Sequence, residues 1–465
     1  MSTLAIDIND VNLIVADASG VLASEPGYAV VGREGVLTGG EAYAQARLRP
    51  RESSNRFWHR LSLDEGSAGI DGASNTAQLA FAQLEDIWKR FGGEGRDVVL
   101  VVPDHYTRDQ LGLLLGLAQE CSMPVRALVN AAVAASACPY PGHQLVYLDV
   151  GLHRVSATAL EQGDDVAARS EQSIEGVGFA SLMDLWAKRV AELFVLATRF
   201  DPFHSAQSEQ RVYDNLPGWI QALQENDQAE LTLPHGDKEV SIEVKRDQLL
   251  GAASGFYRAV VQLLAQTRGS GQSLVIQVSH RLLRLPGVMS ELARLDDTHV
   301  VALDEGQAPM GAIDSLASMA AGEQVKLLKR LPWRRTAVEL ESTAVKNEPE
   351  GAPRITPRRE RVATHIVYRG VAIPVSAEGL LIGREDQDGR RTLVLNGGHS
   401  GVSRSHCELV RRDGELRLRD LSQFGTFVNE KRVSEDLAIQ PADIIRIGSP
   451  GEELQAIVLE ASDGA

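Results

Sequence analysis

The sequence predicts a multidomain chain in which an α/β region precedes an all-β sandwich. Strand-like and helix-like segments alternate from the N-terminus to about residue 320, the pattern of mixed sheets covered by helices. Prolines and charges then dominate to about residue 362. Beyond that point, short strand-like runs are separated by turn signals and no long helical period appears, as in a sandwich. A length of 465 residues suits several domains.

In the first region, Leu4–Ile8 and Val11–Ala16 are expected as strands. Val98–Val102 is a β-branched and Leu run that suits a buried strand, and Pro103 ends it. Thr107 and Gln110 form a capping box for a Leu-rich helix reaching about Glu120. Val125–Val129 is another strand, and Ala131–Ala137 is helical. Leu145–Val150 and Val155–Leu160 flank a short turn as a hairpin. Helical periodicity marks Phe179–Ala197 and Arg246–Gln266, with a strand at Ser273–Val278 and a helix near Met289–Leu295. Trp219 and Tyr213, between two helical stretches, are expected as packing residues.

Residues 323–362 are expected to form a flexible linker, since few large apolar residues interrupt Lys326, Lys329, Arg330, Arg334, Arg335 and the Pro-containing stretch after them. Its basic residues are expected to face solvent. The sandwich, residues 363–461, has candidate strands at His365–Tyr368, Val371–Val375, Gly379–Ile382, Thr392–Leu395, His406–Arg411, Glu415–Asp420, Phe427–Val428, Ile444–Ile447 and Ala456–Leu459.

Composition narrows the function. The hydrophobic fraction of 43% and charged fraction of 24% are those of ordinary globular domains. Asp and Glu outnumber Lys and Arg by 63 to 47, a net charge of -16, which disfavours a nucleic-acid or anionic-membrane coat. Cys121, Cys138 and Cys407 have neither metal-ligand nor redox spacing, so free thiols in a reducing compartment are expected. No basic-then-apolar leader opens the sequence and no apolar run could span a bilayer, so the expected location is the cytoplasm. Walker, His-Glu-x-x-His, Gly-x-Ser-x-Gly and kinase patterns are absent, as are a metal cluster and a repeat of solenoid length.

Three clusters in the last region carry chemistry: LLIGRED, HSGVSRSHCEL and LRDLSQFGTFVNEKRV. A phosphate dianion needs several donors converging from a rigid frame, and the planar guanidinium fork suits it. Gly383-Arg384, Ser403-Arg404-Ser405-His406, Gly425-Thr426 and Asn429, in this order and spacing, resemble the forkhead-associated (FHA) domain. The resemblance implies a phosphothreonine-binding site in which Arg384 and Ser403 contact the phosphate, with Arg404 alongside. Gln423, Thr426 and Asn429 complete the expected peptide-binding set. His406, Gly383 and Gly425 are expected to be structural. Phe424 stands where many members carry Asn, and Glu430 where Gly usually follows Asn429, so flanking-residue preference is expected to differ.

The first region resembles the nucleotide-binding domain of DnaK-type (seventy-kilodalton heat-shock) chaperones, a branch of the actin-like ATPase superfamily. The matching stretches, in order, are LAIDINDVNLIVAD, VLTGGEAYAQA, VVLVVPDHYTRDQ, VRALVNAAVAASACP, LVYLDVGLHRVSATALE, LVIQVSHRLLRLPGVMSEL and DEGQAPMGAIDSL. The resemblance implies an actin-like ATPase fold over residues 1–322, with ATP and magnesium as the family's ligands. The phosphate loops are altered, however. Asp7 is followed by Asn9, Asp10 and Val11, where Asp10 would repel a polyphosphate. The second loop, Asp149-Val150-Gly151-Leu152-His153-Arg154, keeps one glycine. Ala131 replaces a helix-start carboxylate, and Gln277-Val278-Ser279 replaces a Gly-Gly-Ser turn. Asp7, Asp149, Gly151 and Ser279 remain as residual nucleotide candidates, and no cofactor is expected to be required.

The expected function is a phosphothreonine-dependent adaptor whose degenerate ATPase-like domain serves as an interaction platform. The expected partner is a phosphothreonine-containing protein, with a Ser/Thr kinase supplying the phosphate. The rivals are an ATP-dependent chaperone-like or actin-like ATPase and an assembly protein that dimerises or polymerises.

Overall fold

A computed structural model describes residues 3–269, 272–317, 325–340 and 363–457, the last with short breaks at 369–370, 377, 388–389, 396–400, 413–414, 424, 429–430, 434–435, 441–442 and 449–451. The chain divides into two compact units, Met1–Lys346 and Asn347–Ala465.

Two sheets organise the N-terminal unit. The first has the order Gly20–Glu25, Leu13–Asp17, Thr3–Asp7, Asp97–Val102, Val125–Asn130, Leu327–Leu328. Its first three strands pair antiparallel, and the others add in parallel. The second sheet has the order Thr298–Ala302, Leu274–Val278, Gln144–Val150, Arg154–Gln162, Asp165–Glu175, Arg330–Pro332. It repeats the scheme: an antiparallel meander of three strands, then two strands parallel to the first. Strands Thr3–Asp7 and Gln144–Val150 thus hold equivalent places. The central parallel strands Asp97–Val102 and Leu274–Val278 are buried almost throughout, as strands covered on both faces must be, and Asp97 and Gln277 are their only polar residues.

Ala5, Val99, Val101 and Val129 of one sheet share a core with Leu145, Tyr147 and Val275 of the other and with the helix Ala131–Ala135. That helix is all small residues because the helix Gln307–Ala317 comes against it: a Cβ on Gly311 would lie 2.0 Å from the Ala134 carbonyl. Large apolar residues of Phe179–Thr198 and Ala206–Glu225, including Trp186, Phe194, Leu216 and Ile220, build a second core over the second sheet. Tyr213 is buried and Trp219 packs at the cluster edge. The capping box at Thr107 is formed.

Several expectations change. The helix expected at Arg246–Gln266 breaks into Arg246–Ala252 and Ser254–Thr267, where Gly251 and Gly255 weaken continuity. Strand Asp165–Glu175 has no sequence signature because most of it is polar and only Val166 and Ala167 are buried. The expected linker begins too early: Leu327–Leu328 and Arg330–Pro332 extend both sheets, with Leu331 only 1% exposed. Lys329 Nζ lies 2.6 Å from Asp104 Oδ1, so part of the basic run is paired. Basic neighbours hid a short strap that joins the two sheet edges. Residues 341–362 of that linker lie outside the described residues.

The C-terminal unit is a sandwich of two sheets. One runs Val371–Pro374, His365–Tyr368, Glu452–Ile457, Ile444–Ile447, Thr426–Val428, Lys431–Arg432. The other runs Thr392–Val394, Leu380–Gly383, Cys407–Arg412, Glu415–Asp420, Asp436–Ile439. Ile366, Ile382, Cys407, Leu409, Leu418, Ile445 and Leu454 fill the space between them. All three cysteines are free and buried. Among the described residues, no helix is long and apolar enough to cross a membrane, and no His, Cys, Asp and Glu group could hold a metal ion.

Candidate functional site

At one end of the sandwich three loops are tied together. Strand Leu380–Gly383 ends at Gly383, where a Cβ would lie 1.9 Å from the Arg404 carbonyl; only glycine lets the loops approach so closely. Arg384 N donates to Ser403 O (3.2 Å), and His406 N donates to Ile382 O (2.7 Å). The third loop joins through Gln423 N to Ser403 Oγ (3.4 Å) and Leu421 N to His406 O (2.8 Å).

His406 is the hub. It is fully buried, its Nδ1 accepts from Ser403 N (3.1 Å), and its Nε2 lies 3.3 Å from Gly425 O. A ring accepting at Nδ1 and donating at Nε2 is the neutral tautomer. Burial lowers its pKa accordingly. Gly425 has φ +93°, in the left-handed region, and a Cβ there would sit 2.6 Å from Arg432 Nε. Its N–H donates to Ser422 Oγ (2.7 Å).

The guanidiniums of Arg384 and Arg404 are exposed beside Ser403, and Glu385 Oε1 reaches both: 3.3 Å from Arg404 Nε and 3.9 Å from Arg384 Nε. One carboxylate oxygen therefore engages both cations, in the manner a phosphate oxygen could. Thr426 departs from expectation. Its side chain is fully buried and donates to Asp420 Oδ1 (2.9 Å), so its hydroxyl braces the loop and does not face a peptide. Burial would raise the Asp420 carboxyl, but bonds from Ser422 and Thr426 outweigh it and hold the pKa below the ordinary value. Gln423 is exposed, and Asn429 lies outside the described residues. The bracing by Ser422 and Asp420 and the bridging Glu385 were not anticipated. The acidic Glu385 directly after Arg384 was the visible signal for the latter.

In the N-terminal unit, Asp7 and Asp149 do come together, but around a residue that sequence reasoning missed. Arg281, in the one-turn helix His280–Leu283 that follows strand Leu274–Val278, is 2% exposed. Its Nη2 donates to Asp7 Oδ2 (2.7 Å) and Asn12 O (3.0 Å), and its Nε to Asn12 Oδ1 (2.6 Å). Its Nη1 lies 3.4 Å from Asp149 Oδ2. Burial opposes its charge, but Asp7 and Asp149 more than offset that and hold its pKa above the ordinary value. Asp149 Oδ2 also accepts from Asn9 Nδ2 and the Tyr147 hydroxyl, both at 3.1 Å. An arginine beside apolar Leu282 gives no sign of pointing inward; two aspartates at the C-terminal ends of apolar strands are the clue to a buried cation.

The loops close on one another. Asp10 Oδ1 accepts from Leu152 N (2.7 Å), and burial pushes the Asp10 carboxyl up to about 6. A Cβ on Gly151 would lie 2.9 Å from that same Asp10 oxygen. His153 Nε2 contacts Asn55 O (3.0 Å), and Arg154 pairs with Glu175. Ser279 is buried with its hydroxyl lacking a hydrogen-bond partner among the described residues. Alongside lies a cleft of about 950 Å³ lined by Tyr28, Tyr43, Tyr213, Arg47, His280 and Glu305.

Residues 380–448 match the family model of the FHA domain. No curated protein matches the chain. An FHA domain implies recognition of a phosphothreonine peptide and a signalling or adaptor role.

Proposed function

We propose that this chain is a phosphothreonine-dependent signalling adaptor. Its FHA domain docks on a phosphorylated partner, and its N-terminal unit serves as an interaction platform with a degenerate actin-like, DnaK-type fold. The observation that carries the reading is the shared carboxylate: Glu385 engages both Arg384 and Arg404 beside Ser403. Two guanidiniums converging on one oxygen from loops braced by a buried histidine form a receptor for a compact dianion. In this proposal Arg384, Ser403 and Arg404 hold the phosphate, while Gln423 and Asn429 meet the flanking peptide. Gly383, His406, Gly425 and Thr426 hold the loops.

The platform reading is supported by two sheets that share a five-strand order, a three-strand meander with two parallel strands added, and by an aspartate near the end of the equivalent strand in each. The cleft beside them is of ligand size and favours a second reading, in which the unit binds nucleotide. The internally satisfied loops oppose it, and magnesium-dependent ATP turnover by the full chain would decide for it.

Calorimetric titration of the full chain with a library of phosphothreonine peptides tests the main proposal, with unphosphorylated peptides as control. Phosphate-dependent binding is expected, and Arg384→Ala should weaken it about 10–100-fold, the worth of one charge-assisted bond. Equal binding of unphosphorylated peptide, or full binding by Arg384→Ala, would sink it.

A further inference from the structure

Asp7 is the last residue of its strand and Asp149 the last but one of the equivalent strand in the other sheet, and both are buried. Two carboxylates withdrawn from water demand a positive charge between them. Backbone amides at the adjoining loop are what an anion would use. Strand-end carboxylates next to free loop amides would therefore make a place for a hydrated divalent cation and its phosphate.

Neither half of that place is open. The cation position holds the Arg281 guanidinium, bonded to Asp7 Oδ2 at 2.7 Å and to Asn12 Oδ1 at 2.6 Å, and 3.4 Å from Asp149 Oδ2. The amides are taken in series. Val150 N donates to Asp149 Oδ1 (2.9 Å), Gly151 N to Arg154 O (2.8 Å) and Leu152 N to Asp10 Oδ1 (2.7 Å). In the facing loop, Val11 N donates to Asn9 Oδ1 (3.0 Å). The residues do not fit a magnesium nucleotide.

We propose that the N-terminal unit is self-occupied: Arg281 takes the place of a divalent cation between the two strand-end carboxylates, and the Asp10 carboxylate takes the place of an anion on the Leu152 amide. The two sheets are thereby clamped without a ligand. This goes beyond the adaptor reading and does not depend on it, because phosphopeptide affinity is measured separately at the other unit.

Thermal unfolding of the full chain tests it. The wild-type midpoint is expected to stay unmoved by millimolar magnesium, alone or with ATP. Arg281→Ala leaves two buried carboxylates without a partner and should lower the midpoint of the N-terminal unit by roughly 5–10 °C. Guanidinium or magnesium at millimolar concentration should restore part of that loss beyond matched potassium chloride. If Arg281→Ala does not fold, the triple variant Asp7→Asn, Asp149→Asn, Arg281→Met, which removes all three charges together, should fold and show no response to either cation. An upward shift of the wild type with magnesium ATP would overturn the proposal. So would a wild-type midpoint in Arg281→Ala, a folded Arg281→Ala that neither cation restores, or a triple variant as damaged as the single one. Folded variants should keep phosphopeptide affinity, so failure here is distinct from failure of the adaptor reading.

Discussion

Gly383 has no room for a side chain, because the Arg404 carbonyl occupies the space a Cβ would need. Gly383→Ala must push the two arginine loops apart and should cost roughly 1–3 kcal/mol, read by urea unfolding, along with phosphopeptide affinity. Glu385 acts in the opposite sense. Its carboxylate lies against both guanidiniums and repels an incoming phosphate, so Glu385→Gln should tighten phosphopeptide binding a few-fold, worth about 0.5–1 kcal/mol at such an exposed position. Unchanged or weaker binding in calorimetry would show that Glu385 only orients the arginines. Asp10 carries a pH signature. Its folded pKa of about 6 exceeds the ordinary 3.8, so the folded protein holds this proton more tightly than the unfolded chain. The resulting stabilisation is full below the ordinary carboxylate value and is lost as pH rises through about 6. Asp10→Asn keeps an acceptor for Leu152 N and should therefore stabilise the N-terminal unit at neutral pH by on the order of 3 kcal/mol. In acid the gain should vanish; an equal gain at both pH values would point away from the buried charge. The arginines of the sandwich were legible because charged residues at fixed loop spacings advertise themselves. Arg281 was not, because its partners come from strands far away in sequence and no local pattern records a contact made only after folding.

At the scale of elements, apolar strands and capped helices were readable where the local pattern matches the fold. Val98–Val102 lies inside the observed Asp97–Val102, and Glu415–Asp420 agrees at both ends. What escaped are elements held by their neighbours and not by their own composition. Asp165–Glu175 is a polar strand fixed by pairing with Arg154–Gln162. The strap at residues 327–332 looks like linker until Leu331 is seen inside the core shared by both sheets. Leu331→Ala should cost about 2–4 kcal/mol by chemical denaturation, an effect that a residue in a solvated linker would not produce. A change below half a kilocalorie would restore the linker reading.

The whole molecule joins two units with separate cores, and differential scanning calorimetry of the full chain should resolve two transitions. A phosphothreonine peptide should raise only the one belonging to the sandwich, since a ligand stabilises what it binds; movement of both would mean that the units unfold together. The duplicated strand order of the N-terminal unit left no repeat in the sequence, because equivalent strands need only be apolar and their connections differ in length: sixty-odd residues, including two long helices, separate Phe179 from Arg246 in the second half alone. The strap has a mechanical consequence. When the sandwich is anchored to a partner, tension along the chain enters the N-terminal unit at Val338 and Arg334–Arg335, whose amides bond to the Pro139 and Ala137 carbonyls, and passes from there to two paired segments, Arg330–Pro332 and then Leu327–Leu328. Each is a ladder of only two or three residues on a sheet rim. Such ladders yield by peeling one bond at a time, so the strap would give way as a fuse before load reached the Asp7–Arg281–Asp149 clamp.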